Sequence, residues 1–186
     1  MKSTLLIISG FSCTGKTTLA KKIATKFSLP VFGRDDFKES LFNSLGYSDR
    51  SRSQKLGFAS YDLLYLTTEK ILASNKSLII ESNFKVGSDT QKLKTLKEKY
   101  YCNLIQIHCH IPISLALARF NYRARSGARH PGHVDYLIGD EMKRNFKQGG
   151  YKILDICDST IDVDTSDFAK INYEMIFEKI QNYLSN

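Results

Sequence analysis

The chain of 186 residues is long enough for one domain with a real core, and at 42% hydrophobic and 25% charged it has the balance of an ordinary globular protein. No apolar run approaches the ~20 residues needed to cross a membrane, which argues against a membrane protein. The formal net charge of +8 favours anionic partners, nucleotides first and nucleic acid second.

Residues 4–9 form an apolar run that reads as the first strand, and residues 16–27 read as the first helix. Between them stands Gly10-Phe-Ser-Cys13-Thr14-Gly15-Lys16-Thr17, a complete G-x-x-x-x-G-K-T phosphate loop in its strand–loop–helix setting. Its glycines let the backbone turn tightly and aim N–H groups at phosphate oxygens. The helix that follows adds its positive end. Lys16 is expected to reach the β- and γ-phosphates, and Thr17 to ligate Mg²⁺. The apolar start is too short for a signal peptide. Cys13, Cys102, Cys109 and Cys157 lack C-x-x-C spacing and read as free thiols. The expected location is the cytoplasm.

Residues 30–33 read as the second strand, and Arg34-Asp35-Asp36-Phe37 follows it. A carboxylate here would face the phosphate loop, where phosphoryl transfer to an alcohol needs a group to orient and deprotonate the hydroxyl. Either aspartate also makes a helix cap, so one can be catalytic and the other structural. Helices are expected over 37–44 and 54–73. Residues 77–80 read as the third strand, and Glu81-Ser-Asn83 at its end has the layout of a Walker B segment. Glu81 is a candidate for holding Mg²⁺, and Asn83 for touching substrate or fixing the loop.

A lysine-rich helix is expected over 89–100 and a fourth strand over 103–108. His108, His110, His130 and His133 lack a zinc spacing and read as structural or substrate-contacting. The helix expected over 113–125 carries Arg119 and Arg123, four apart on one face. Arg129 and the turn-rich Arg129-His-Pro-Gly-His133 follow. A basic flap of this kind suits closure over a nucleotide and stabilisation of a transferring phosphoryl group. A helix over 134–146, a strand over 160–163 and a helix over 167–184 complete the chain. The alternation implies an α/β fold of the P-loop NTPase type: a five-stranded parallel sheet with helices on both faces and a basic helical lid.

In these motifs the chain resembles the P-loop kinases of the zeta-toxin and phage-type polynucleotide 5′-kinase group. Arg34-Asp35-Asp36-Phe37-Lys38 is similar to an Arg-Asp-Asp-aromatic-basic motif of the polynucleotide kinases, whose first aspartate is the general base. Asp35 takes that place. Ile79-Ile80-Glu81-Ser82-Asn83 is similar to their Ile-Ile-Ser-Asp-Thr-Asn, with one residue fewer and a Glu. Arg119 and Arg123 match a pair of lid arginines, while Arg129–His133 looks like the lid of small stand-alone bacterial kinases. The acceptor motifs expected of adenylate or shikimate kinases are not seen.

The resemblance implies one kinase domain over 1–186, with a lid at about 119–133. ATP and Mg²⁺ are the implied cofactors. ATP would sit on Gly10, Cys13, Thr14, Gly15, Lys16, Thr17 and Thr18 with Arg129, its adenine passing residues 164–166. Lys16, Asp35, Arg119 and Arg123 are the implied catalytic residues, Thr17 and Glu81 the metal ligands, and Arg34, Asp35 and Asn83 the substrate contacts. The acceptor is a hydroxyl compound. A small molecule is favoured by the lid, while a polynucleotide 5′ end is the alternative suggested by the Arg-Asp-Asp motif and by Tyr47, Arg50, Arg52, Lys55 and Phe58. A nucleotide-gated switch without acceptor chemistry is the reading from another class.

Overall fold

The computed structural model describes residues 2–127, 129–135, 139–147 and 152–185, the side chains of Met142 and Lys147 excepted. Strand β1 (Thr4–Gly10) leads through the phosphate loop into helix α1 (Lys16–Phe27), followed by β2 (Val31–Gly33), α2 (Arg34–Leu45), α3 (Arg50–Ala73) and β3 (Leu78–Glu81). Then come α4 (Ser88–Tyr100), β4 (Asn103–His110), α5 (Ile113–Ser126), α6 (Gly139–Lys147), β5 (Ser159–Asp164) and α7 (Tyr173–Leu184).

The five strands form one parallel sheet in the order β2-β3-β1-β4-β5. β1 is fully buried and its side chains alternate between two cores. Leu5 and Ile7 pack with Leu64, Leu72, Phe84 and Leu93 under α3 and α4. Leu6 and Ile8 pack with Leu19, Ile23, Ile176 and Ile180 under α1 and α7. Strands covered on both faces have no solvent side, so β1 and β3 read as continuous apolar runs. β1 is flanked by β3 on one side and β4 on the other, so the chain reverses its winding there. The carboxyl end of β1 is the switch point at which open α/β sheets bind ligands.

Several boundaries differ from the pattern in the sequence. α2 begins at Arg34 because Asp36 Oδ2 accepts the N–H of Gly33 at 3.0 Å, closing the first turn around the Arg-Asp-Asp motif. α3 begins at Arg50 because Asp49 caps it, accepting the Arg52 N–H at 2.9 Å. Of the helix expected over 134–146, the described part is α6, Gly139–Lys147. Pro131–His133 is a short 3₁₀ turn, and Val134 stands at φ 51°, in the left-handed region that ends it. Residues 136–138 of that expectation lie outside the described residues. The stretch expected as one helix over 167–184 splits at Ile171, whose backbone is extended. Asp167 caps a 3₁₀ turn before the break, and Asn172 caps α7 after it.

Candidate active site

The phosphate loop fits only as glycine at its two ends. Gly10 has φ 133°, and an added Cβ would stand 2.1 Å from the carbonyl oxygen of Cys109. At Gly15, φ 82°, the same atom would meet the Phe168 ring at 2.5 Å. Lys16 is 6% exposed, and its Nζ donates to the Phe11 carbonyl at 2.8 Å. Burial lowers its pKa, while the nearby Glu81 carboxylate works the other way. Thr14 is tied in at both ends: its hydroxyl donates to the Phe11 carbonyl, and its own carbonyl accepts from Thr165 Oγ1. Thr18 is exposed on the first turn of α1.

β3 runs beside β1 with Ile8 opposite Glu81, which brings the Glu81 carboxylate to the loop. Thr17 Oγ1 donates to Glu81 Oε2 at 3.0 Å, and Lys16 Nζ lies 3.9 Å from Oε1. Burial raises the pKa of Glu81, and Lys16 opposes that shift. Asn83 takes the bracing position: its Nδ2 donates to Ser12 Oγ in the phosphate loop at 3.0 Å.

The two aspartates divide as their neighbours dictate. Asp36 turns back to the α2 cap, whereas Asp35 faces the cavity and is ion-paired with Arg129. Arg34 Nη2 lies 3.8 Å from Asp35. Burial would raise the pKa of Asp35, but Arg129 and then Arg34 hold it well below the usual carboxylate range.

Helix α5 carries its arginines to the same place. Arg119 donates to the carbonyls of Ser166 at 2.9 Å, Thr165 at 3.2 Å and Cys13 at 3.4 Å, bridging the phosphate loop to the segment after β5. Arg123 Nη2 lies 3.1 Å from Asp135 Oδ2, too poorly aligned for a hydrogen bond. Its Nε and Nη2 are buried with no hydrogen-bond partner among the described residues. Arg129 joins Asp135 at 3.1 Å as well as Asp35. Arg125 is exposed away from the site.

The loop after α5 is fastened to α2. His130 stacks on Phe42 with ring centroids 5.1 Å apart, and its Nε2 is 3.1 Å from Asn43 Oδ1. His133 is 4% exposed, with Nε2 2.9 Å from Glu39 Oε1. Burial and the neighbouring Arg129 push its pKa down to about 2. A Cβ on Gly132 would stand 2.7 Å from the Phe42 ring, so this loop is seated closely. Farther along, Arg50 pairs with Glu141 through two hydrogen bonds, linking α3 to α6. Arg52 is spent on the carbonyls of Leu45 and Gly46. Of the residues proposed to grip a strand, Tyr47, Arg52, Lys55 and Phe58 are exposed and Arg50 is half-buried. His108 and His110 lie outside, both against Asp162, at 2.9 and 3.6 Å.

These groups enclose a cavity of about 770 Å³ running from the phosphate loop to α3 and α6. Asp135, Glu141, Tyr61 and Phe168 line it and carry no motif in the sequence. Asp135 stands two residues beyond His133, and the arginines waiting for a carboxylate are the signal that could have found it.

A family model described as an AAA domain matches residues 5–148. The chain belongs to this family. Over 98% of its length it is 33% identical to a candidate kinase from Chloroflexus aurantiacus, covering 99% of that chain with a TM-score of 0.86. A shikimate kinase of Staphylococcus epidermidis is 25% identical over 148 residues, 75% of this chain and 79% of that enzyme. The missing shikimate-type acceptor motifs do not anticipate this relative. A gluconokinase from Sinorhizobium meliloti shares the fold, with a TM-score of 0.58 and 13% identity over 98% of this chain and 94% of that one. The chain is thus an AAA-domain protein by family, with the fold of the P-loop kinases it is similar to. The sequence resemblance is supported at that level, above the zeta-toxin and polynucleotide-kinase group.

Proposed function

We propose that the protein is an ATP-dependent kinase that transfers the γ-phosphoryl group to a hydroxyl of a small acceptor. The observation that carries this reading is the meeting of a phosphate loop, a candidate base and three arginines around one cavity. A slow switch needs no acceptor wall. Here the Arg50–Glu141 pair and His133 line the cavity beside α3 and α6. A small acceptor is favoured over a polynucleotide because Arg50 and Arg52 are already engaged within the protein.

ATP phosphates would lie on Gly10–Thr18, with Lys16 turning from the Phe11 carbonyl to the β- and γ-phosphates. Thr17 and Glu81 offer two hard oxygen donors side by side, the donor set that Mg²⁺ prefers, and would hold it against the phosphates. The ion would supply charge neutralisation at the transferring group. The buried Nε and Nη2 of Arg123, which make no hydrogen bond among the described residues although Nη2 is ion-paired with Asp135, are donors suited to a phosphoryl oxygen, where charge reorganises. Arg119 would steady the loop and the adenine end through its three carbonyl contacts. Asp35 would orient the acceptor hydroxyl and receive its proton once Arg129 shifts to the triphosphate. Residues 119–133 act in this reading as the lid.

The test is turnover of labelled ATP against a panel of small alcohols. Negligible hydrolysis alone and transfer on adding one class of alcohol is the expected result. Steady ATP hydrolysis with no labelled product from any alcohol, and labelling of 5′-hydroxyl oligonucleotides instead, would replace it.

A further inference from the structure

One corner of the cavity holds more positive charge than its surroundings balance. Lys38 lies one turn after Arg34, on the same face of α2. It is 4% exposed, donates to Ser53 Oγ at 3.0 Å, sits over the Phe42 ring at 5.2 Å and makes no ion pair among the described residues. Arg34 donates to Ser60 Oγ at 3.2 Å and lies over the Tyr61 ring at 5.0 Å. The carboxylate beside it, Asp35, is shared with Arg129. Arg50 is balanced by Glu141.

The two cation heads converge on α3 where Gly57 leaves the helix bare. A methyl built on Gly57 would stand 3.5 Å from Arg34 Nη2 and 3.6 Å from Lys38 Nζ, in ordinary contact with both. Ser53, Gly57 and Ser60 fall on one buried face of α3, so the cations meet small polar residues there. A buried cation held against a second, half-buried one is costly unless an anion joins them. Burial, with Arg34, Arg129 and Arg50, pulls the Lys38 pKa down to about 7 against the opposing pull of Asp35.

The whole cavity shows the same excess: eight Lys and Arg side chains line it against four carboxylates. A Mg²⁺-bound triphosphate, with a charge of about −2, would offset only half of that difference.

We propose that Arg34, Lys38 and the bare surface of Gly57 form an oxyanion cradle that seats a phosphate, sulfate or carboxylate group of the acceptor, turning its hydroxyl toward Asp35. The acceptor is therefore an anionic small alcohol. This rests on the kinase reading above for its biological meaning, but the cradle is measurable without it.

The experiment is calorimetric titration at constant ionic strength with inorganic phosphate, sulfate and acetate. Each is run with and without saturating Mg²⁺ and a non-hydrolysable ATP analogue. With nucleotide bound, wild type is expected to take up one anion. Gly57→Ala and Lys38→Met should each weaken that uptake at least tenfold and leave analogue affinity unchanged. Gly57→Ala fills the cradle without a clash, and alanine favours helix over glycine, so its unfolding temperature should rise while anion binding falls. Preference for phosphate and sulfate over acetate assigns a tetrahedral group, and the reverse a carboxylate. No anion uptake by the nucleotide-bound chain, or uptake that both variants retain, overturns the cradle. If the analogue itself does not bind, the kinase reading fails. Variant-sensitive anion binding to the nucleotide-free chain then still decides the cradle.

Discussion

Arg129, in the loop after α5, lays its guanidinium on the carboxylate of Asp35 at the start of α2. The pair joins the segment proposed as lid to the group proposed as base. It also keeps Asp35 ionised far below the usual carboxylate range. Arg129→Ala should raise the Asp35 pKa toward ordinary values near 4, as read from the carboxyl carbon by NMR titration. A depressed carboxylate stabilises the fold above its unfolded pKa and loses that contribution as pH falls. The variant should therefore lose less stability than wild type between about pH 4 and pH 2. An unchanged Asp35 titration would show that the two side chains do not interact in solution.

Asp35→Asn should keep ATP binding and lower phosphoryl transfer by about 10²–10⁴-fold. Asp36→Asn should retain more activity and cost about 0.5–2 kcal/mol of stability, because Asp36 closes the α2 cap on the Gly33 N–H. Rate measurements paired with denaturant unfolding check both. Reversed phenotypes would move the base to Asp36.

Lys16→Ala should abolish transfer and weaken nucleotide binding. Lys16 is buried against the Phe11 carbonyl, so far-UV circular dichroism is measured alongside to show that the fold persists. Near wild-type turnover would remove the nucleotide from this loop.

His133 gives the fold a pH dependence nearer neutrality. Burial, with Arg129 and Lys38 beside it, holds the ring neutral in the folded protein. The unfolded chain gains a proton there as pH falls below about 6.5, and the folded one does not. Stability should thus fall with decreasing pH from that point, by up to about 1.4 kcal/mol per pH unit from this residue. His133→Gln should flatten the slope between pH 6.5 and 5 in urea titrations. An identical slope in both proteins would mean that His133 protonates in the folded state.

Gly132→Ala should cost about 1–3 kcal/mol by overpacking, because its Cβ meets the Phe42 ring. Gly139→Ala, with nothing within 4 Å among the described residues, is the control and should be close to neutral. Thermal unfolding of the two variants shows whether the loop at Gly132 is seated too closely to admit a Cβ.

What the sequence determined by itself is short in range. The apolar runs around Leu6 and Ile79 mark strands buried on both faces. The spacing from Gly10 to Thr17 dictates a phosphate loop, since glycine dihedrals and helix-start chemistry are local properties. The Arg-Asp-Asp motif was legible as a candidate site. Which aspartate caps and which faces the cavity was not, because that depends on Gly33 and on a loop far along the chain. Tertiary structure decided the rest. Thr17 meets Glu81 only because β3 pairs beside β1, and Arg129 meets Asp35 across 94 residues only because Gly132 lets the loop seat on Phe42. Likewise Arg34 and Lys38 converge at Gly57 because α2 packs across α3. Charge pairing of this kind is set by packing geometry, which no periodicity in the chain encodes.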